Sequence, residues 1–182
     1  VGSVGRVMQG MQMPDGQPGV VVMVTRRMRI NRFITTDGVL LAEAFVGFQR
    51  ELAVMVARRH GGGDAVYPVV ETRQHDHVLR ELLCPAPIDP GVADEAKRVG
   101  RAAAEACGGA GVTGVEMFHT ADNRILINEL APRPHNSGHH TIEACVTSQF
   151  ENHLRGILGL PLGSTALIAP GAALVNLLEN AI

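Results

Sequence analysis

Residues 111–140 decide the fold: GVTGVEMFHTADNRILINELAPRPHNSGHH. Two stretches rich in β-branched and other apolar residues, 111–120 and 124–130, are separated by Asp122-Asn123. Asp and Asn tolerate the positive φ that a two-residue hairpin turn requires. The stretch therefore predicts a β-hairpin that ends in a proline-stiffened loop with an unusual density of polar side chains.

The register of this hairpin brings two acidic residues together. With a two-residue turn at Asp122-Asn123, Phe118 faces Ile127 and Glu116 faces Glu129; a four-residue loop keeps this register and a three-residue loop breaks it. Directly opposed side chains have Cβ atoms about 4.5–5.5 Å apart, and like charges there are destabilising. The pair predicts a magnesium site that substrate phosphates complete. The alternative, two edge glutamates held by arginines, is left open by spacing alone.

Composition limits the class of protein. The 182 residues are 46% hydrophobic and 19% charged, which is typical of a globular chain with one core or two small lobes. A net charge of -2 gives no support to a nucleic-acid or anionic membrane partner, and no apolar run approaches the ~20 residues of a membrane span. No secretory signal pattern opens the chain, and the three cysteines are expected to be reduced core residues of a cytoplasmic protein.

The rest of the chain predicts an α+β protein, an antiparallel sheet with interspersed helices. Asp89-Pro90 begins a surface helix that Gly108-Gly109 ends, and Lys97, the only lysine beside fifteen arginines, lies on it. A second helix is predicted over about 141–158. Its apolar residues form one stripe: Val146, Phe150, Leu154 and Ile157.

The stretch 128–163, NELAPRPHNSGHHTIEACVTSQFENHLRGILGLPLG, closely resembles the signature of the 5-(carboxyamino)imidazole ribonucleotide synthases. These are ATP-grasp carboxylases of purine biosynthesis (PurK-type). Residues 40–58, LLAEAFVGFQRELAVMVAR, and 67–72, YPVVET, are similar to this family too. The resemblance implies an ATP-grasp fold, with the helices on one side of the antiparallel sheet. It divides the chain into an N-terminal remnant (1–37), a C-terminal ATP-grasp lobe (38–165) and the start of a further domain (166–182).

The resemblance also implies a reaction. ATP phosphorylates bicarbonate to carboxyphosphate, and the carbon dioxide that this releases is captured by the amine of aminoimidazole ribonucleotide. The cofactors are ATP and magnesium, the partners are these small-molecule substrates, and the full-length family implies a homodimer. Carboxyphosphate is an anion that water destroys, so a rigid loop with a planar cation and polar donors suits it.

Matching the family's motifs residue by residue assigns each role. The hinge that carries adenine is Glu43, Ala44, Phe45 and Val46, and Glu51 binds the ribose. Glu116 and Glu129 hold magnesium, and Asn128 and Gln74 also contact the cofactor. Arg133, His135 and Asn136 grip bicarbonate and carboxyphosphate. The alternative for this loop is a structural turn whose polar groups satisfy one another. A zinc site from His135, His139 and His140 is not favoured, because adjacent histidines rarely converge on one ion.

Several positions depart from the family. Val24 stands where the family has a phosphate-binding lysine, Gln74 replaces a histidine, and His140 replaces an aromatic residue. The glycine-rich N-terminal domain and the C-terminal domain are expected to be missing. Three readings follow: an ATP-dependent carboxylase or part of one, a degenerate ATP-grasp module that binds nucleotide without turnover, and a formate-using ATP-grasp ligase. The loop 131–140 favours the first reading over the third, and Val24 favours the second over a complete enzyme.

Overall fold

The computed structural model describes residues 2–12, 18–28, 30–36, 39–44, 46–75 and 78–177. The chain divides into two compact units, Val1–Gly47 and Phe48–Ile182. The domain boundaries expected from the sequence remain predictions.

The first unit consists of two antiparallel strand pairs. Strand β1 (Gly2–Gln12) pairs with β2 (Pro18–Met28), and β3 (Ile30–Thr36) pairs with β4 (Val39–Ala44). Val24 lies in β2, where its pairing partner is Gly5.

The second unit is built on a seven-stranded antiparallel sheet. Its strands are β5 (Arg50–Arg58), β6 (Asp64–Val66), β7 (Val70–His75), β8 (Val78–Cys84), β9 (Gly111–His119), β10 (Ile125–Ala131) and β11 (Ala172–Val175). The order across the sheet is β10-β9-β5-β7-β8-β11, and β6 also pairs with β5. Strand β5 has six consecutive buried residues because both of its faces are covered.

The helices cover both faces of this sheet. Helix α1 (Pro90–Cys107) begins at Asp89, whose side chain accepts a hydrogen bond from the Gly91 amide, and ends at Gly108 in the left-handed region. It packs on the face that carries Leu52, Val54 and Val56. The other helices are a 3-10 turn (Asn136–Gly138), α2 (Thr141–Ala144) and α3 (Gln149–Ile157).

The opposite face, which carries Ala53, Met55 and Tyr67, lies against the 3-10 turn and α3. The antiparallel sheet with helices is confirmed, but the expectation of helices on one side is wrong. The reason is the alternation of side chains along β5, whose apolar residues point to both faces and need a cover on each. No helix in the described ranges has the length and apolar character needed to cross a membrane.

The second predicted helix is two helices, and its apolar stripe is exposed. Cys145 is extended (φ -116°, ψ 156°), which separates α2 from α3. Helix α3 buries Gln149 and Asn152 completely, and Leu154 remains 60% exposed. The polar side chains can be buried because they are hydrogen-bonded, for example Asn152 Nδ2 donates to the Tyr67 hydroxyl at 2.8 Å.

The cysteines only partly match the expectation of core residues. All three are free; Cys84 and Cys145 are buried, and Cys107 is exposed at the end of α1.

The hairpin β9–β10 pairs Glu116 with Glu129 as predicted, but its loop and its register before Glu129 differ from the prediction. The connection has three residues, because Thr120 donates its amide to the Arg124 carbonyl at 3.0 Å, and Asn123 has φ 58°. This loop pairs Phe118 with Leu126, so the predicted Phe118–Ile127 pair is wrong. A bulge between Ile127 and Glu129 then adds one residue and restores the predicted register, in which Glu129 pairs with Glu116.

Candidate functional site

Three carboxylates share one face of the sheet. Glu116 pairs with Glu129 across β9 and β10, and with Ala53 across β9 and β5. Glu51 lies two residues from Ala53 on β5 and pairs with Phe118. Because paired residues and residues two apart project to the same side, Glu51, Glu116 and Glu129 belong to the face that carries Ala53 and Met55.

The Glu116–Glu129 pair has the chemistry of a magnesium site. Carboxylates opposed on neighbouring strands repel each other, and a divalent cation bound by both removes that repulsion. Within the described residues, no cluster of three or more His, Cys, Asp or Glu side chains could hold a metal alone. Two hard oxygen donors fit magnesium, whose coordination is ordinarily completed by water and substrate phosphates.

His135 reaches this pair from the loop that follows β10. Its Nε2 lies 3.6 Å from Glu116 Oε1, and its side chain is 11% exposed. The Ser137 amide donates to Nδ1 at 3.4 Å, which assigns the ring proton to Nε2, the atom that faces Glu116. Burial lowers the pKa of His135, and Arg133 lowers it further, against the opposing effect of Glu129. The ring is therefore a neutral donor near pH 7.

Gln149 holds the backbone of His135 in place. The His135 amide donates to Gln149 Oε1 at 3.0 Å, and Gln149 Nε2 donates to the His135 carbonyl at 2.7 Å. The Gln149 amide in turn donates to Thr141 Oγ1 at 2.9 Å, and that hydroxyl donates to the Gly138 carbonyl at 2.6 Å. Gln149 and Thr141 are both fully buried. The loop is thus fixed to α3 through one side-chain amide as well as stiffened by its prolines.

Two glycines let this loop lie directly on the sheet. A Cβ on Gly114 of β9 would be 2.8 Å from the Cβ of His135. A Cβ on Gly138 would clash with Gln149 Oε1 and would be 2.9 Å from the Met55 side chain. Neither position has room for a larger residue without displacing the loop.

The other two predicted anion-binding residues belong to the same loop. Arg133 is exposed, and its Nη1 donates to the Pro134 carbonyl at 3.0 Å. Its charge is close enough to lower the pKa of His135. Asn136 is half-buried and opens the 3-10 turn. These positions agree with an anion-binding loop, and the roles of Arg133, His135 and Asn136 remain predictions.

The remaining predicted cofactor residues are more scattered. Asn128 is the bulge residue of β10, one position before Glu129. Gln74 is exposed on β7, which β5 separates from β9 and β10 in the sheet. In the hinge, Glu43 and Ala44 end β4, Phe45 lies outside the described residues, and Val46 is half-buried. The roles of these residues are predictions that the geometry does not decide.

The only lysine is on the wrong face for this site. Lys97 lies on α1, which covers the opposite face of the sheet, and its Nζ is 3.6 Å from Asp94 Oδ1. Glu71, which pairs with Leu52 on that same opposite face, is held at 2.5 Å by Arg50 and at 3.2 Å by Arg73. Glu71 is thus a glutamate held by arginines, the arrangement that the sequence analysis considered as the alternative to a magnesium site.

Sequence reasoning missed three residues that position the site: Gly114, Gly138 and Gln149. Gln149 lies off the apolar stripe of α3 and directly after the N-cap Ser148, a position that predicts an exposed side chain, so the sequence carried no signal for its burial. Nothing in the sequence marked Gly114 as a point where the loop and the strand meet.

Comparison with known proteins places these residues in a family context. Residues 5–150 match the family model of the ATP-grasp domain. The chain is 49% identical over 142 residues to the N5-carboxyaminoimidazole ribonucleotide synthase of Synechococcus elongatus. The matched residues make up 78% of this chain and 36% of that protein. It is 39% identical over 168 residues to the Bacillus subtilis synthase, covering 92% of this chain and 44% of that protein.

Solved structures of enzymes with the same name are similar to this chain as well. The synthetase from Thermotoga maritima is 52% identical, with a TM-score of 0.69 over 75% of this chain and 36% of that one. The Aspergillus clavatus enzyme in complex with ADP and 5-aminoimidazole ribonucleotide is 40% identical, with a TM-score of 0.75 over 80% of this chain and 39% of that one. The chain thus spans less than half the length of each of these relatives.

Proposed function

Because this chain belongs to the ATP-grasp family, we propose that it binds ATP with magnesium on the face that carries Glu116 and Glu129. We further propose that the bound nucleotide serves ATP- and bicarbonate-dependent carboxylation of 5-aminoimidazole ribonucleotide, the activity implied by relatives named N5-carboxyaminoimidazole ribonucleotide synthase. The chain spans about a third to under half of these relatives, so the whole reaction is proposed for the protein in which this lobe operates.

One observation carries this proposal. A pair of opposed carboxylates and a loop rich in anion-binding side chains meet at one point, with His135 Nε2 3.6 Å from Glu116 Oε1. A carboxylate pair alone suits any magnesium nucleotide, and a polar loop alone suits any anion. Their adjacency suits a reaction in which the terminal phosphate of a nucleotide is transferred to a small anion held beside it.

Each residue has a distinct proposed task. Glu116 and Glu129 hold magnesium, which when bound neutralises phosphate charge. His135 donates from Nε2 to an oxygen of bicarbonate or carboxyphosphate, and its lowered pKa keeps it neutral, so that it does not compete with magnesium for Glu116. Arg133 supplies the planar cation for carboxylate or phosphate oxygens. The clamp by Gln149 keeps these donors in place without reorganisation.

A second candidate is a nucleotide-binding module without turnover. Val24 stands at the position that the resemblance assigns to a phosphate-binding lysine, and Lys97 lies on the opposite face of the sheet from the carboxylates. Arginine does not replace a lysine point charge freely. This reading keeps the magnesium and nucleotide contacts and drops the phosphoryl transfer.

A chimeric enzyme separates the two candidates. Residues 18–163, which include Val24 as well as the hairpin, the loop and α3, replace the matching segment of the Bacillus subtilis synthase. We expect ADP release that requires both bicarbonate and aminoimidazole ribonucleotide. Glu129→Gln in the chimera is expected to lower kcat/KM at least about a hundredfold. The exposed Glu143 on α2 supplies the matched control, Glu143→Gln, which is expected to leave activity unchanged. A folded chimera without substrate-dependent ADP release favours the binding module.

Three further features implied by the resemblance are part of the proposal: bicarbonate as the carbon source, a cytoplasmic location and a homodimer in the complete protein. The first is tested by the bicarbonate dependence of the chimera. The cytoplasmic location agrees with cysteines that are all free.

A further inference from the structure

A cavity of about 170 Å³ lies at the end of the sheet far from the carboxylate pair, and none of the proposed tasks uses it. It is lined by residues 58–62, where β5 ends, and by residues 108–110, which connect α1 to β9. Arg58 is five residues along β5 from Ala53, the pairing partner of Glu116. At 3.3 Å per residue its backbone is about 17 Å from that pair, so the cavity is separate from the proposed nucleotide site.

The cavity is lined by positive charge that the chain leaves unbalanced. Arg58 and Arg59 form no ion pair within the described residues, although six other arginines there do. Asp64, which pairs with Arg58 across β5 and β6, is already held by Arg101 at 2.6 Å. Two guanidinium charges therefore lie at this cavity without a carboxylate partner among the residues that the structure describes.

The fold uses only part of each guanidinium. Arg58 Nη1 donates to the carbonyls of Ala104 and Gly109 at 3.2 and 3.3 Å, which satisfies groups at the carboxyl end of α1. Arg59 Nε donates to the Gly62 carbonyl at 2.8 Å. A guanidinium has five N–H donors, so both Nη groups of Arg59 and the Nε and Nη2 of Arg58 are left to bind a ligand in the cavity that these side chains line.

Backbone amides add further donors around the cavity. Gly61, Gly109 and Ala110 line it and are exposed, and their amides donate to no acceptor in the described part of the chain. The glycines also keep the cavity open, because a Cβ added to Gly61, Gly62 or Gly109 would meet nothing within 4 Å. Guanidinium groups combined with exposed backbone amides are the donors with which proteins bind phosphate oxygens.

We propose that the cavity between residues 58–62 and 108–110 is a second anion site, which binds a phosphate group. A cavity of about 150 Å³ accommodates a ligand of about six heavy atoms, and a phosphate group has five. The site opens to solvent through exposed residues, so the rest of a phosphorylated small molecule has room outside it. The inference does not depend on the proposed function, because it uses none of the residues assigned to nucleotide, magnesium or bicarbonate.

Amide NMR spectra of the labelled chain, recorded during a titration with inorganic phosphate, test the proposal. The resonances of Gly61, Gly62, Gly109 and Ala110 are expected to move together with a Kd of about 1 mM, because each exposed charged contact contributes modestly. Chloride at the same ionic strength is expected to leave them in place. A parallel titration with glycerol 3-phosphate identifies the source of the phosphate group: tighter binding than inorganic phosphate indicates a phosphorylated small molecule, and equal or weaker binding indicates free phosphate.

Substitutions of Arg59 test the role of its charge. Arg59→Gln is expected to weaken phosphate binding at least about fivefold, and Arg59→Lys, which keeps the charge, to weaken it less than about threefold. The matched control is Arg98→Gln, the same change at an exposed arginine of α1 that does not line the cavity; it is expected to bind phosphate like wild type. Circular dichroism verifies that each variant is folded.

Four results would each overturn the proposal: no shift of the cavity resonances at a phosphate concentration about twentyfold above the expected Kd, the same shifts with chloride, a folded Arg59→Gln variant that binds phosphate like wild type, or shifts confined to the loop 133–136. The wild-type titration decides the first, second and fourth of these without any variant. Magnesium-dependent ADP binding, measured on the same Arg59→Gln protein and expected to be unchanged, reports on the proposed function separately.

Discussion

Replacing Gln149 by methionine tests whether one side-chain amide holds the loop that carries His135. Methionine has a similar length and helix propensity, so the change removes two hydrogen bonds and little else. It leaves the amide and the carbonyl of His135 without their partners at 3.0 and 2.7 Å, in a site where Gln149 is fully buried. Each unsatisfied buried group costs about 1–3 kcal/mol, which gives a loss of about 2–6 kcal/mol.

The expected value is near the lower end, about 3 kcal/mol, because the buried methionine recovers part of the cost through its apolar surface. Typical domains have about 5–15 kcal/mol of stability, so the variant is expected to fold. Urea unfolding followed by far-ultraviolet circular dichroism gives the free energy of unfolding; the chain has no tryptophan to serve as a fluorescence probe. Hydrogen exchange at the His135 amide reports the same loss locally, as faster exchange.

The matched control is Gln49→Met, the same substitution at an exposed position, with an expected change within about 0.5 kcal/mol. If Gln149→Met loses less than about 1 kcal/mol and the His135 amide exchanges as slowly as in wild type, the clamp does not hold the loop and the reasoning fails.

Three further substitutions test the contact between β9 and the loop, the burial of His140, and the assignment of Val24. Gly114→Ala is expected to destabilise the protein by about 1–3 kcal/mol, because the new Cβ would meet His135 at 2.8 Å, whereas Gly109→Ala, with nothing within 4 Å, is expected to be nearly neutral in urea unfolding. Burial lowers the pKa of His140 below its usual value near 6.5, against a backbone contact with Ser137, so the unfolded state binds its proton first as the pH falls. The stability that His140 contributes is present above about pH 6.5 and is lost as the pH drops toward its folded pKa. His140→Phe is expected to reduce the loss of stability between pH 7 and 5. An unchanged dependence of the free energy of unfolding on pH would contradict this. The resemblance assigns the position of Val24 to a phosphate-binding lysine, so Val24→Lys is expected to tighten ATP binding at least fivefold in calorimetric titration, and unchanged affinity would contradict that assignment.

The register of the hairpin shows how far sequence reasoning reaches. The pairing of Glu116 with Glu129 was predicted correctly, although the loop has three residues and Asn128 is bulged. A three-residue connection and a bulge shift the register in opposite senses, so the two unforeseen irregularities cancel. Asn123 had signalled a residue with positive φ, and no local pattern distinguishes the two- and three-residue turns that use it.

Helix α3 shows where sequence reasoning fails. Apolar residues at helical spacing ordinarily mark the buried face of a helix, but the structure exposes this stripe and buries Gln149 and Asn152 on another face of α3. Periodicity identifies two faces of a helix, but hydrogen-bond partners decide whether a polar face can be buried. Those partners, the backbone of His135 and the hydroxyl of Tyr67, come from distant parts of the chain and are supplied only by the fold.

Isothermal titration of ADP with and without magnesium tests the central claim, that Glu116 and Glu129 hold a magnesium nucleotide, most directly. We expect magnesium to tighten ADP binding to the wild-type chain at least tenfold. Glu129→Gln, which keeps the shape of the side chain and removes its charge, is expected to abolish this enhancement, and the control Glu143→Gln to retain it. Magnesium enhancement of the same size in a folded Glu129→Gln protein would contradict the account.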